Sequence, residues 1–262
     1  MKNQSIGKQT ALITGPTSGI GYELALLFAK DGYNLILAAR TKQKLEQMKA
    51  DLEKKFAITV HIIAIDLSKP DSPKQLYEQL IKQEVKIDIL VNNAGFGNYG
   101  FFCQTDLDVD LELLQLNIVT PTILTKLISA DMIKRRQGKI LNVGSVASFF
   151  AGPYMNTYFA SKNYILSFSL ALHCELKSAG VSVSCLCPGP TQTNFGNRAH
   201  FHHKLNRRHI MDVKKVAETG YRGLFKNKAI VIPGFQNKLI IFSARFAPRL
   251  LLTKMVKKLS GF

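Results

Sequence analysis

The feature that most constrains the fold of this chain is an alternation. Short apolar runs at residues 10–14, 34–38, 59–65, 87–91, 139–143, 181–187 and 229–232 are rich in Ile, Val and Leu. Between them, residues 20–31, 42–56, 73–84, 111–136 and 156–178 repeat their apolar positions at helical spacing. The runs are nearly continuous in apolar character, as expected for parallel strands covered on both faces. Strand, helix, strand in regular succession implies right-handed βαβ units and an α/β, doubly wound, Rossmann-like parallel sheet with helices on both faces. No repeat or low-complexity linker interrupts the pattern, so residues 1–262 are read as a single domain. At that length the chain can bury a core without disulfides or a structural metal. In such a sheet, ligands bind beyond the carboxyl ends of the strands.

The loop after the first run reads Thr14-Gly15-Pro16-Thr17-Ser18-Gly19-Ile20-Gly21 and continues into a helix. Three glycines at a strand-to-helix turn allow the backbone to approach a pyrophosphate, and the helix start supplies N–H donors and partial positive charge. Glycine spacing alone also fits a tight turn without a ligand; its place after the first strand favours a nucleotide site. The second run ends Ala38-Ala39-Arg40. A carboxylate there would bind the ribose 2′-hydroxyl of NAD, whereas a guanidinium suits the 2′-phosphate of NADP. NADP is therefore expected.

Ser145 closes the fifth run, and Tyr158 and Lys162 open the next helix. A spacing of four puts the phenol and the ammonium on one helical face. A tyrosine with an ordinary pKa near 10 is a poor acid–base catalyst at neutral pH; a neighbouring Lys162 ammonium, helped by the charge of an oxidised nicotinamide, favours the phenolate. Ser145 could then hydrogen-bond a substrate oxygen while Tyr158 exchanges its proton. Taken by itself, this Tyr–Lys spacing is common on helix surfaces.

The ordered set resembles the short-chain dehydrogenase/reductase family. It comprises the glycine turn, Asn92-Asn93-Ala94-Gly95 after the fourth run, Asn117, Ser145 with Tyr158 thirteen residues later, Lys162, and Pro188-Gly189-Pro190-Thr191 after the sixth. The match spans nearly the whole chain, and residues 92–97 and 231–234 look most like a bacterial-type, NADP-preferring subgroup of broad or unknown substrate. The resemblance implies a catalytic set of Asn117, Ser145, Tyr158 and Lys162, with Asn117 fixing a water that links Lys162 to solvent. It implies a cofactor site of Gly15, Thr17, Gly19, Ile20, Gly21, Arg40, Asp66, Asn92, Ala94, Gly95, Tyr158, Lys162, Pro188, Gly189 and Thr191. Within it, Asp66 would meet the adenine amino group and Asn92 and Ala94 the adenine ribose side. The reaction implied is reversible carbonyl reduction or alcohol oxidation. Two departures stand out: Pro16 removes an N–H donor from the turn, and Thr17 lacks the positive charge of some NADP-preferring members, leaving more of the discrimination to Arg40.

The resemblance implies that residues 193–212 form a mobile substrate-covering loop. Phe195 and Phe201 would make the pocket partly apolar, and Arg198, Lys204, Arg207 and Arg208 favour an acidic or acyl substrate. His200, His202 and His203 fit no zinc spacing, so no metal is expected. Two long helices, 111–136 and 156–178, commonly pair between subunits in the resembled family, which implies a homodimer or homotetramer.

Charge is uneven along the chain. The formal net charge is +17, and residues 198–262 alone carry 15 Lys/Arg against 2 Asp/Glu. Residues 235–262 combine Leu239, Ile240, Phe242, Phe246, Leu250 and Met255 with basic side chains. Such a basic amphipathic stretch can lie on an anionic membrane surface; the alternative is a helix closing the pocket or a subunit interface. No nucleic-acid motif accompanies it. Cys103, Cys174, Cys185 and Cys187 form no metal-type pair, and no run reaches the length of an uncharged membrane span, so a cytoplasmic protein is expected, with peripheral membrane contact left open. The rival reading is a dinucleotide-binding scaffold or redox sensor without turnover, against which the intact Asn117, Ser145, Tyr158 and Lys162 set argues.

Overall fold

The computed structural model describes residues 8–193, 195 and 210–260. Seven strands, β1 (Thr10–Thr14), β2 (Asn34–Ala39), β3 (Val60–Ala64), β4 (Ile89–Asn92), β5 (Gly138–Val143), β6 (Val181–Leu186) and β7 (Ile230–Val231), form one sheet. Every pairing is parallel, and the order is β3-β2-β1-β4-β5-β6-β7. The order reverses between β1 and β4, which opens a crevice at their carboxyl ends.

The helices are α1 (Gly19–Lys30), α2 (Lys42–Lys55), α3 (Ser72–Lys82), α4 (Leu107–Leu114), α5 (Thr120–Lys134), α6 (Asn156–Leu176), α7 (Val213–Phe225), α8 (Phe235–Ser243) and α9 (Arg249–Ser260). Alternate strand residues feed two cores. On one face Leu12, Leu90 and Ile140 pack with Leu76, Leu113, Leu124 and Met132. On the other Ala11, Ile13, Val91 and Leu141 pack with Leu24, Phe28, Leu45 and Val216. Both faces of the central strands are thus dry, which is why their sequences are apolar without alternation. Truncating a fully buried Leu12 to Ala should cost about 2–5 kcal/mol, through lost transfer energy and the cavity left behind.

One expected element differs. The helix anticipated at 111–136 begins at Leu107, because Asp106 Oδ1 accepts from the backbone N–H of Asp108 at 2.8 Å and of Val109 at 3.4 Å. A π turn at Gln115–Val119 then interrupts the helix before α5. By length and composition alone, Leu107–Lys134 could cross a membrane, although no run of the sequence suggested a span. Half of its most apolar stretch is buried in the fold, with Leu113, Leu124, Ile128 and Met132 packed on the sheet. Its apolarity is that of a core helix.

Candidate active site

The glycine turn is fastened to the segment after β4. Thr14 Oγ1 accepts from the backbone N–H of Asn93 and of Ala94, both at 3.0 Å, and donates to Val91 O at 3.3 Å. Asn93 Nδ2 returns two bonds, to Thr14 O and Gly15 O, each 2.9 Å long. Gly15 has φ +65°, and a Cβ there would stand 2.9 Å from Ala94 Cα. At Gly21 a Cβ would overlap Asn93 Nδ2 and Gly15 O. These glycines therefore answer to close backbone approach as well as to turn geometry. Ser18, the N-cap of α1, is extended and makes no side-chain cap, so the first N–H groups of α1 keep their donors for another acceptor.

Arg40 follows β2, is exposed, and has no ion pair or hydrogen bond among the described residues. Asp66, after β3, is half-buried; its Oδ1 accepts from Ser68 N at 3.1 Å and from Ser68 Oγ at 2.8 Å. Asn92 turns its side chain inward, where Nδ2 donates to Thr125 Oγ1 at 3.0 Å and Asn142 Oδ1 at 2.8 Å. Its Oδ1 is buried without a protein partner.

The residues expected to do acid–base work converge beside this turn. Ser145 follows β5 and caps a short 3-10 turn, Val146–Phe149; its Oγ accepts from Ala147 N at 3.1 Å and it hydrogen-bonds Tyr158. Tyr158 and Lys162 lie one turn apart on the inner face of α6, and Lys162 Nζ stands 5.8 Å from the Tyr158 ring centre. Lys162 donates to Val143 O at 2.9 Å. Asn117 sits in the π turn, where its Oδ1 accepts from Phe96 N at 3.2 Å and its Nδ2 donates to Phe96 O at 2.9 Å and Ser161 Oγ at 3.1 Å. Gly95 separates the two groups: a Cβ there would be 2.9 Å from Asn117 Oδ1 and 3.5 Å from Lys162 Nζ. A cavity of about 10 Å³, lined by Asn92, Ala94, Asn117 and Lys162 among others, lies between them. That is room for about one water.

In the protein chain by itself, burial sets the direction of both pKa shifts. Burial pushes Tyr158 up to about 12, opposed by its hydrogen bond with Ser145. Burial likewise pulls Lys162 down to about 8, opposed by the thiols of Cys185 and Cys187. Desolvation disfavours the charged form of each group and outweighs their proximity.

After β6, Pro188 O accepts from Val146 N at 2.9 Å, and Thr191 Oγ1 donates to Gly189 O at 2.8 Å. Thr193 crosses to the glycine turn, where a Cβ on Gly19 (φ +60°) would be 3.0 Å from its Cγ2. The Phe195 ring lies 5.2 Å from that of Tyr158. The rest of the anticipated substrate loop, with Arg198, His200, Phe201, His202, His203, Lys204, Arg207 and Arg208, lies outside the described residues. Among the described residues no cluster of His, Cys, Asp or Glu could hold a metal ion. Sequence reasoning assigned no role to the Thr14 hydroxyl, the Asn93 carboxamide or Ser161. Their signal lay inside the motifs, in polar residues beside glycines, but their partners are far apart in the chain.

Residues 9–203 match the family model described as short chain dehydrogenase. The mouse protein "Dehydrogenase/reductase SDR family member 7" is 36% identical over 194 residues, 71% of this chain and 56% of its own. A "Very-long-chain 3-oxoacyl-CoA reductase" from Phaeosphaeria nodorum is 35% identical over 181 residues, 67% of this chain and 53% of its own. The chain thus spans about half the length of these curated relatives. Among solved structures, a short-chain dehydrogenase from Sphingobium yanoikuyae in complex with NADPH superposes with a TM-score of 0.83 at 30% identity, over 91% of this chain and 94% of that one.

Proposed function

The chain belongs to the short chain dehydrogenase family, and on that premise we propose that it is an NADP-dependent oxidoreductase interconverting a ketone or aldehyde and its alcohol. The observation that carries the reading is the convergence of Ser145, Tyr158 and Lys162 at the carboxyl end of β5, beside the glycine turn.

The residues present fit a dinucleotide. Gly15, Gly19 and Gly21 leave a cradle that a Cβ would fill, and the start of α1 retains free donors for a pyrophosphate. Around it, Thr17, Ile20, Asp66, Asn92, Ala94, Gly95, Pro188, Gly189 and Thr191 would complete the site. Arg40 would pair with the 2′-phosphate; its freedom from other partners among the described residues and the NADPH bound to the Sphingobium relative support NADP over NAD. When bound, the cofactor supplies a hydride at nicotinamide C4.

In reduction, the Ser145 hydroxyl would orient the substrate oxygen and the Tyr158 phenol would give it a proton. With its pKa pushed up to about 12 by burial, Tyr158 is protonated at neutral pH, the form this direction needs, though it is a weaker acid than an ordinary phenol. Lys162 would return a proton toward Tyr158, and the water-sized cavity beside Asn117 offers it a path. Phe195, against the Tyr158 ring, supports an apolar group next to the reacting carbonyl. The name of the Phaeosphaeria relative supports an acyl substrate as the narrower form. Exposed Val119, Ile133 and Tyr164 on and before α5 and on α6 support packing of those helices in a homodimer or homotetramer. A reducing, cytoplasmic setting suits the four free thiols.

The test is a panel of ketones, aldehydes and 3-oxoacyl thioesters, followed by NADPH absorbance beside NADH. NADPH-linked turnover of at least one carbonyl is expected. Tight NADPH binding with no turnover of any would favour a scaffold or sensor instead.

A further inference from the structure

Helices α8 and α9 carry an apolar face that the rest of the described fold leaves open. Along α8 and the turn after it, Phe235, Leu239, Phe242 and Phe246 recur at four, three and four residues, so they share one face. Phe235 and Phe246 are 79% and 76% exposed, while Ile241 on the opposite side is buried. On α9, Leu250, Leu251 and Met255 point outward, Leu250 being 77% exposed. The inner side of α9, with Arg249, Leu252 and Thr253, borders a groove of about 520 Å³ against Phe149–Pro153 and α6. So many large apolar side chains exposed together mark a surface that meets something.

Charge indicates the partner. From residue 219 to residue 262 the sequence has no Asp or Glu; exposed Lys238, Arg245, Lys254 and Lys258 accompany the apolar face, while Arg249 borders the inner groove and Lys257 lies over the Tyr154 ring. None of the six has an ion-pair partner among the described residues. A second copy placed symmetrically on this face would bring like charges together with no acid between them. An anionic bilayer answers both features: headgroups neutralise the cations, and the aromatic and leucine side chains enter the acyl boundary.

We propose that α8 and α9 dock this protein on the surface of an anionic membrane, with Phe235, Leu239, Phe242, Phe246, Leu250 and Met255 inserted and the basic side chains at headgroup level. The inference is independent of the catalytic reading, since it rests on no residue of that site.

The test is flotation of the purified full chain with vesicles of phosphatidylcholine alone, or of phosphatidylcholine and phosphatidylglycerol at two to one. Binding to the anionic vesicles should be at least about tenfold tighter than to the neutral ones and should weaken as salt rises. The pair Phe246→Ser and Leu250→Ser should abolish it, and the pair Lys254→Glu and Lys258→Glu should weaken it at least about tenfold. All four positions are exposed, so the melting temperature and NADP affinity should be unchanged. Light-scattering mass separates the rival occupant: serine variants that become smaller assemblies, with no vesicle binding by the parent, would identify a subunit interface. Failure of the parent chain to float with either vesicle overturns the proposal outright.

Discussion

Lys162 holds its ammonium 5.8 Å from the centre of the Tyr158 ring, with both side chains buried on the inner face of α6. Burial moves the two in opposite directions, the phenol up to about 12 and the amine down to about 8. At neutral pH the phenol is therefore firmly protonated, and the lysine is a cation in a setting that only weakly tolerates one. Of the two, only the lysine is set to give up a proton readily; the phenol is protonated, as carbonyl reduction needs, but holds its proton tightly.

Replacing Tyr158 by Phe keeps the ring contacts with Phe195 and Phe159 and deletes the one transferable proton. Positioned acid–base groups contribute about 10²–10⁴ in rate, so kcat for reduction should fall by about 10³. Cofactor affinity, read by NADPH fluorescence, should stay within about twofold. Undiminished turnover in this variant would remove Tyr158 from the mechanism.

Lys162 should cost stability at neutral pH. Its folded pKa of about 8 lies below its ordinary 10.5, so the unfolded chain binds the proton more tightly. Each unit is worth about 1.4 kcal/mol, and the hydrogen bond to Val143 O gives back about 1 kcal/mol. Lys162→Met should then be inactive but about 2 kcal/mol more stable at pH 7. Wild-type stability rises as pH climbs from about 8 to 10.5, where the unfolded lysine still holds a proton that the folded one has released. The variant's advantage should shrink across that window. Urea melts at pH 7 and near pH 10 check both the sign and the trend; a variant less stable at pH 7 contradicts the burial argument.

Arg40 is exposed at the end of β2 with no competing partner among the described residues, so its substitution should leave the fold untouched. A charge-assisted contact to a phosphate is worth about 1.5–3 kcal/mol, and Arg40→Asp adds repulsion. NADP affinity should drop by about 10–100-fold while NAD affinity holds or improves. Titration of both cofactors against both proteins decides it, and a parallel loss for NAD and NADP would count against the assignment.

Much of this architecture is readable from the chain because the forces concerned are local or periodic. The strands β1, β2 and β5 announce themselves by dry, branched runs, and Tyr158 and Lys162 by a spacing that any helix turns into adjacency. What escaped depends on partners far along the sequence. The π turn carrying Asn117 has no period of its own, and Asp106, five residues ahead of the anticipated helix start at 111, caps the helix at its true beginning. The direction of the Tyr158 shift follows from burial on all sides, which spacing does not report. Asn92 and Asn93 are neighbours of the same type, yet pleating sends one toward Thr125 and Asn142 and the other to the glycine turn.

That division makes Asn93 the sharpest test of how the cofactor turn is held. Its Nδ2 donates to Thr14 O and Gly15 O at 2.9 Å each, two carbonyls at the entry to the glycine cradle. Asn93→Asp is nearly isosteric but replaces the donor with a third acceptor facing those oxygens. Losing two part-buried hydrogen bonds costs up to about 1–3 kcal/mol each where the partner goes unsatisfied. The turn should loosen, and Kd for NADP should rise by at least about tenfold, with kcat at saturating cofactor changed by less than about threefold. Asn93→Ala removes the donor without adding charge and should show the smaller effect of the two. A tenfold fall in kcat at saturating cofactor, with unchanged Kd, would instead tie Asn93 to the chemical step through Ala94 and Gly95.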